Sequence, residues 1–185
     1  MLNAFNLRGQ GSQFIESCFI TGMTMARHLS TQGIKVVAFL PNLDMYQRQM
    51  ANELALYKLC CKSSNAKLIH DVKDLPVSAV DLIVCALDDH ELFEQERNQP
   101  WYRGATRWCR DLRSPVLAID PLASPLSPTV QYKACIVPGL PLWYNDVGKI
   151  HMVNLAIPSK VYKDVGITFQ PPFGAKSFVT LEPVS

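Results

Sequence analysis

Residues 99–121 read QPWYRGATRWCRDLRSPVLAIDP and predict one helix followed by one buried strand. Pro100 suits the first turn of a helix, where its missing N–H has no intrahelical partner. Apolar residues then recur at helical spacing and define one face: Trp101, Ala105, Trp108, Cys109 and Leu112. Ser114-Pro115 ends the helix, because the residue before a proline is disfavoured in the α region.

The strand after this helix, residues 116–119, is continuously apolar, as expected of a strand covered on both faces. It ends at Asp120-Pro121, and Asp88 follows another apolar run at 80–87. Ligands of open α/β sheets bind outside the carboxyl ends of the strands. Asp88 and Asp120 are therefore candidate residues of a ligand pocket. Aspartates at strand ends also cap helices and turns, and that interpretation stays open beside the first.

The rest of the chain alternates between strand and helix patterns. Strands are predicted at 14–20, 34–40, 67–72, 80–87, 134–137, 149–156 and 173–181, and helices at 21–29, 43–59 and 159–166, the last with Ser159 as its cap. The alternation predicts an α/β fold, a Rossmann-like, doubly wound and mostly parallel sheet in a three-layer α/β/α arrangement. The 67–72 strand has the character of an edge strand. The last strands follow one another with little helix between them, so the sheet should extend on one side.

Composition restricts the function classes. The 185 residues carry a net charge of +2 and are 48% hydrophobic, which is typical of one globular domain. We assign the domain to 21–185 and leave 1–20 unassigned, as a possible divergent first strand. No apolar run approaches the roughly 20 residues of a membrane span, and no secretory signal pattern is present. The six cysteines form no C-x-x-C pair and indicate reduced thiols.

Cofactor patterns are missing from the sequence. No glycine-rich phosphate-binding pattern follows a predicted strand, so we expect no nucleotide cofactor. The four histidines and the cysteines make no zinc spacing, so we expect no metal.

Basic residues lie on or beside the 100–112 helix, off its apolar face. They are Arg97, Arg103, Arg107, Arg110 and Arg113. Such a face can bind phosphates, and Tyr102 among the arginines could stack on an unpaired base. We name Arg103, Arg107 and Arg110 as candidate RNA-binding residues. The alternative is a solvated helix face whose charge is partly offset by Glu94, Glu96 and Asp111.

Several motifs occur in the order and spacing of one family. They are ARHL at 26–29, VVAFLPN at 36–42, NELAL at 52–56, VKDLP at 72–76, VDLIV at 80–84, QPWY at 99–102, PVLAIDP at 115–121, GLPL at 139–142, IP at 157–158, VGI at 165–167 and PFG at 172–174. Together they resemble the C-terminal YjeF N-terminal-type domain of the enhancer of mRNA decapping protein 3 family, from about Thr24 onward. The helices that open that domain are not recognisable in residues 1–20.

The resemblance implies a non-catalytic scaffold. Such a domain would dimerise with itself, contact RNA and support mRNA decapping in cytoplasmic processing bodies. Decapping factors and a DEAD-box helicase would bind through family regions outside this chain. The resemblance also implies a Rossmann-like fold, shared with NAD(P)H-hydrate epimerases.

Two alternatives stay open. One is an epimerase with Asp120 as its catalytic carboxylate. Against it, the glycine-rich loop is absent, the Asp88 strand end lacks Gly-x-Gly, and Asp120 continues into Pro121-Leu-Ala-Ser124 where epimerases have Asp-x-Pro-Ser-Gly. The other is a protein-interaction module that makes no RNA contact.

Overall fold

A computed structural model describes residues 2–4, 18–41, 50–62, 65–87, 97–121, 130–140 and 148–181. The strands of this part are β1 (Leu2–Ala4), β2 (Val36–Phe39), β3 (Ala66–Ile69), β4 (Ile83–Ala86), β5 (Val116–Ile119), β6 (Ala134–Pro138), β7 (Lys149–Val153) and β8 (Phe178–Leu181). The helices are α1 (Cys18–Thr31), α2 (Ala51–Cys60), α3 (Pro100–Leu112) and α4 (Ser159–Asp164), with a 3₁₀ turn at Val72–Asp74.

The strands of the described residues form one sheet in the order β3-β2-β1-β4-β5-β6-β7-β8. All neighbours from β3 to β7 pair in parallel, and β8 pairs antiparallel with β7. The chain moves outward from β1 to β3 and then returns to β4 on the other side of β1. This reversal defines a doubly wound sheet, so the predicted fold class is confirmed. The prediction that the third strand lies at an edge of the sheet is confirmed by β3. The prediction that the last strands extend the sheet on one side is confirmed by the neighbouring positions of β6, β7 and β8.

The interior is formed by continuous apolar strands and the helix faces packed on them. Every residue of β4 is buried, as expected for a central parallel strand. Tyr57 of α2 is fully buried, and its hydroxyl donates to the carbonyl of Lys67 at 3.2 Å. A smaller cluster joins Phe39 and Ile69 to Leu75 and Ala105, and it seats α3 near the β3 edge. No helix in the described ranges is long and apolar enough to cross a membrane.

The start of the fold differs from the prediction. The predicted strand at 14–20 is wrong where the structure describes it, because Cys18 to Ile20 form the first turn of α1. The first strand is instead β1. The misassignment has a physical cause: α1 contacts both the sheet and α2, so it is apolar on more than one side. A short apolar run of this kind does not distinguish a helix from a strand by periodicity.

Smaller differences concern element ends. Of the predicted helix at 43–59, α2 confirms the second half, and residues 42–49 lie outside the described part. The strand predicted to reach Val72 ends at Ile69, and the Asp71 carboxylate accepts from the Lys73 N–H at 2.9 Å to cap the 3₁₀ turn. Ser159 is not a cap, since Pro158 occupies that position with extended backbone and Ser159 begins α4.

Candidate nucleic-acid interface

Helix α3 carries the candidate RNA-binding residues and begins and ends as its sequence predicts. Gln99 has extended backbone at φ −66° and ψ 144°, and Pro100 occupies the first turn. At the other end, Arg113 adopts the left-handed conformation with φ 56°, which terminates the helix before Ser114-Pro115. Left-handed residues commonly close helices in this way. The boundaries of the basic face are therefore fixed by local backbone preferences.

The two sides of α3 differ sharply in burial. Tyr102, Ala105, Thr106 and Cys109 are all at most 4% exposed. The Thr106 hydroxyl donates to the Tyr102 carbonyl at 2.9 Å, so this buried polar group is satisfied within the helix. Arg103, Arg107 and Arg110 lie off this buried face and are exposed. The predicted separation into an apolar and a basic face is confirmed.

Arg103, Arg107 and Arg110 form a single stripe, which we call the arginine stripe. A helical residue advances by about 100°, so the three positions fall within about 60° around the axis. The Arg103 guanidinium donates to the Asn98 side-chain oxygen at 2.6 Å. Among the residues that the structure describes, Arg107 and Arg110 enter no ion pair or hydrogen bond through their side chains. These guanidinium groups can therefore bind an anion without first releasing a described acidic partner.

Tyr102 does not belong to the exposed surface. It is 4% exposed, and its ring meets the Trp101 ring edge-on at a centroid distance of 5.6 Å. The expectation that it stacks on an unpaired base is wrong. Its position borders the basic face in a helical projection, but its large ring turns into the core, where burying aromatic area is favourable. Trp101 and Trp108 pack against the core as half-buried residues, as predicted.

Two contacts fix α3 against the segment that follows β3. The Trp108 indole N–H donates to the Pro76 carbonyl at 2.8 Å. Gly104 lies so close to Val72 that a Cβ atom added at Gly104 would be 2.9 Å from the nearest Val72 methyl carbon. The absence of a side chain at Gly104 therefore sets how closely the helix approaches this segment, and with it the position of the arginine stripe.

Gly104→Ala should lower the free energy of unfolding by about 1–2 kcal/mol, because the overpacking against Val72 outweighs the gain in helix propensity. Val72 is β-branched and its methyl groups cannot easily rotate away. In a Val72→Ala background the same change should instead stabilise the protein by roughly 1 kcal/mol. Denaturant unfolding of the four proteins measures both effects, and a stabilising Gly104→Ala in the original background would contradict the described contact.

Asp120, the other sequence candidate, lies at the carboxyl end of β5. It is 9% exposed and has a left-handed backbone with φ 43°, and its N–H donates to the Ile136 carbonyl at 2.7 Å. The buried Cys135 lies nearby on β6, and burial, followed by the Asp120 charge, raises the pKa of its thiol to about 11. Asp88 lies outside the described residues, so the predicted pairing of the two aspartates stays a prediction. No group of three potential metal ligands occurs in the described part.

A depression that sequence reasoning missed lies beside the end of α3, with a volume of about 260 Å³. Arg110 and Arg113 contribute to its lining, together with residues just before β6. The only signal in the sequence was the basic character of the last turn of α3. The contribution of Val130 and Gln131 depends on how β6 pairs with β5, which no local pattern reveals.

Comparison with known proteins gives a consistent result. No protein-family model matches the chain. Enhancer of mRNA-decapping protein 3 from Gallus gallus is 37% identical over 161 residues, and the human protein of that name is 35% identical over 161 residues. Each match covers 86% of this chain and 31% of the relative. The chain thus spans about a third of the length of these relatives.

The fold also matches a solved structure. Yeast ynu0, YNL200c, aligns with a TM-score of 0.63 and 14% sequence identity, over 86% of this chain and 71% of that one. This likeness shows the three-layer α/β fold alone. The relatives in contrast share sequence across nearly the whole chain. This chain is therefore a homologue of part of the Enhancer of mRNA-decapping protein 3 proteins, and the family resemblance of its motifs is confirmed.

Proposed function

We propose that this chain acts in mRNA decapping as a non-catalytic domain that contacts RNA through the arginine stripe and associates with itself. The stripe is the observation that carries the proposal: three exposed guanidinium groups on one helix face, two of them without a described side-chain partner. The names of the relatives support the setting in mRNA decapping. Decapping takes place on mRNA, so a cationic face is a suitable surface for the substrate's phosphates.

The dimensions of the stripe suit a single strand. Arg103 and Arg110 are seven residues apart, which corresponds to about 10 Å along the helix axis. Successive phosphates of a stacked strand rise by about 3.4 Å, so the stripe covers the span of several phosphates. Contacts of this kind hold the backbone and carry no base information. We therefore expect binding that is sensitive to salt and tolerant of sequence.

The sequence around the strand ends supports a non-catalytic role over the epimerase alternative. The sequence between β1 and α1 contains only two glycines, Gly9 and Gly11, and the turn after Asp120 departs from the Asp-x-Pro-Ser-Gly pattern. Asp120 is largely buried, and its backbone N–H is engaged by β6. These features favour a structural role for Asp120.

We further propose a cytoplasmic location in processing bodies, with decapping factors and a DEAD-box helicase as partners. Those partners would bind through regions beyond the third of the relatives that this chain matches. The domain would then contribute RNA contact and assembly, while the other regions recruit the decapping machinery.

Self-association is supported by apolar surface around α4 and β8. Side chains in this region that are between 38% and 65% exposed are Leu155, Val161, Val165, Ile167 and Phe178. β8 is an edge strand of the sheet among the described residues, and exposed edges with apolar neighbours favour pairing with another chain. This observation also supports the second candidate function, a protein-interaction module without RNA contact. Light scattering of the purified chain would measure the oligomeric state in both cases.

Changing Arg103, Arg107 and Arg110 together to Glu should abolish binding to a fluorescent single-stranded RNA. If each arginine of the unchanged protein engages one phosphate, the affinity should fall roughly twentyfold between 50 and 200 mM salt, because single-strand binding weakens with a slope of about −0.7 per contact. Fluorescence anisotropy across a salt series measures both effects.

The matched control changes Lys35, Lys58 and Lys62 to Glu. These lysines are exposed and lie just before β2, on α2 and just after α2, on elements other than α3, α4 and β8, and their replacement alters the net charge by the same amount. The control should keep most of the affinity and the salt slope. Equal losses in both triple variants would show that only net charge matters and would contradict the assignment to α3. Absence of RNA binding at low salt, in a chain that still self-associates, would favour the interaction module.

A further inference from the structure

We propose that the depression beside the end of α3 is a binding pocket for one nucleotide unit, a base with its phosphate. This inference deepens the proposed RNA contact and rests on it for the source of the nucleotide. The pocket shares Arg110 with the arginine stripe, so the two form one continuous surface. A strand held on the stripe would therefore place a nucleotide at the entrance of the pocket.

The pocket has a cationic rim. Arg110 and Arg113 are exposed and line it, and neither side chain enters an ion pair in the part of the chain that the structure describes. Arg113 is held in the left-handed conformation, which sets the direction in which the chain leaves α3. No acidic residue is part of the described lining. Two guanidinium groups without a competing carboxylate favour a phosphate, which they can engage by paired hydrogen bonds.

The remaining lining combines an apolar floor with polar neighbours. Cys109, Val116 and Val130 are at most 3% exposed and form the floor. Ser114 and Gln131 complete the lining, and the Ser114 oxygen accepts the Val80 N–H at 3.3 Å, which orients it and leaves its O–H to donate. A narrow apolar floor beside hydroxyl and amide groups can contact the polar edge of an unpaired base. A volume of about 260 Å³ is on the scale of one nucleotide unit.

The location separates this pocket from the usual ligand site of the fold. Val116 is the first residue of β5, and the Lys133 N–H donates to its carbonyl at 2.8 Å just before β6 begins. The pocket thus lies at the amino ends of β5 and β6. Asp120 lies at the carboxyl end of β5, the edge where open α/β sheets bind their ligands. A ligand found here would therefore not be explained by the general ligand site of Rossmann-like proteins.

Arg113→Gly provides a variant that should fold at least as well as the original. Glycine is favoured at a left-handed helix terminus, so the change removes the guanidinium without adding strain. Titration with adenosine 5′-monophosphate should shift the backbone amide signals of residues 113, 114 and 131 in ¹⁵N-resolved NMR spectra. Arg113→Gly should weaken that binding by about tenfold, as expected for the loss of a hydrogen-bonded charge. The affinity of Arg113→Lys for the monophosphate should lie between those of the original protein and Arg113→Gly, because lysine keeps the charge and loses the paired hydrogen-bond geometry.

Adenosine and inorganic phosphate distinguish the parts of the ligand. Both should bind more weakly than the monophosphate. Phosphate that binds as tightly as the monophosphate, or shifts that Arg113→Gly does not reduce, would overturn the nucleotide pocket. RNA binding that depends on the arginine stripe and ignores Arg113→Gly would also overturn the pocket, while the proposed RNA contact would stand. Monophosphate binding without any RNA binding would support the pocket and overturn the RNA contact.

Discussion

Gly148→Ala should lower the free energy of unfolding by roughly 3 kcal/mol or more, since it combines left-handed strain with a backbone collision. Gly148 has φ +67°, a conformation that residues with a Cβ atom rarely adopt. An added Cβ would lie 2.4 Å from the Lys133 carbonyl oxygen, and this is a backbone atom that cannot rotate away. The collision would separate the start of β7 from the segment that leads into β6.

Thermal unfolding measures the effect, and a loss of that size corresponds to a fall in melting temperature of roughly 6–12 °C for a protein of this length. Gly33→Ala is the matched control. Gly33 also has a left-handed backbone, with φ +83°, but nothing lies within 4 Å of its added Cβ. Gly33→Ala should lower the free energy of unfolding only through backbone strain, by about 1–2 kcal/mol. Equal falls for the two variants would show that Gly148 does not make the described close approach.

The pair α3 and β5 shows what the sequence makes predictable. Both elements were located from local signals: a proline in the first turn, apolar spacing on one face, a proline after the last turn and a continuous apolar run. Each signal acts on the backbone or on burial within a few residues, so it does not depend on the remaining fold. The separation of the arginine stripe from the buried face follows from the same spacing.

The features that were missed depend on distant parts of the chain. The place of Tyr102 on the helix borders the arginines and predicts a surface position, but its ring packs inward against its neighbour Trp101 and the core. The pocket beside Arg113 needs Val130 and Gln131, which reach it only because β6 pairs with β5. The first turn of α1 is not distinguishable from a strand in the sequence, because an apolar run that is covered on two sides has no diagnostic period.

Stability should also fall steeply between about pH 9 and pH 11, and the thiol of Cys135 should account for a measurable part of the fall. Burial, followed by the charge of Asp120, raises the pKa of Cys135 from 9.0 to about 11. Burial likewise raises the pKa of Cys109 to about 12 and raises the pKa of Tyr57. The unfolded chain releases the two thiol protons above about pH 9 and the tyrosine proton above about pH 10, whereas the folded protein holds each of them to a higher pH.

The direction of the effect follows from proton linkage. Stability rises with pH where the unfolded state binds more protons and falls where it binds fewer. Between the unfolded and folded pKa of a buried thiol the unfolded chain binds fewer protons, so the stabilisation present below about pH 9 is lost as the pH rises through the folded value. For one group this amounts to about 1.4 kcal/mol for each pH unit in that interval. Cys135 alone should therefore contribute a loss of about 2 kcal/mol between pH 7.5 and pH 10.5.

Urea unfolding at pH 7.5 and 10.5 measures this loss, and two variants isolate its source. Cys135→Ala removes the thiol. Between pH 7.5 and pH 10.5 its free energy of unfolding should therefore fall by about 2 kcal/mol less than that of the original protein. Val137→Ala, at a buried position two residues further along β6, creates a cavity without removing a titrating group. It should lower stability at both pH values and keep the original pH dependence. A Cys135→Ala protein with an unchanged pH dependence would contradict the burial of this thiol.

Asp120→Asn then separates the two causes acting on Cys135. The substitution removes the carboxylate charge and keeps a side chain of similar size at the end of β5. Because burial is the larger cause and the Asp120 charge the smaller one, most of the pH dependence should remain. A pH dependence that disappears in Asp120→Asn would mean that the carboxylate dominates the environment of the thiol. Asp120 would then be a group that strongly perturbs its neighbours, as reactive carboxylates do, and the structural role proposed for it would be wrong.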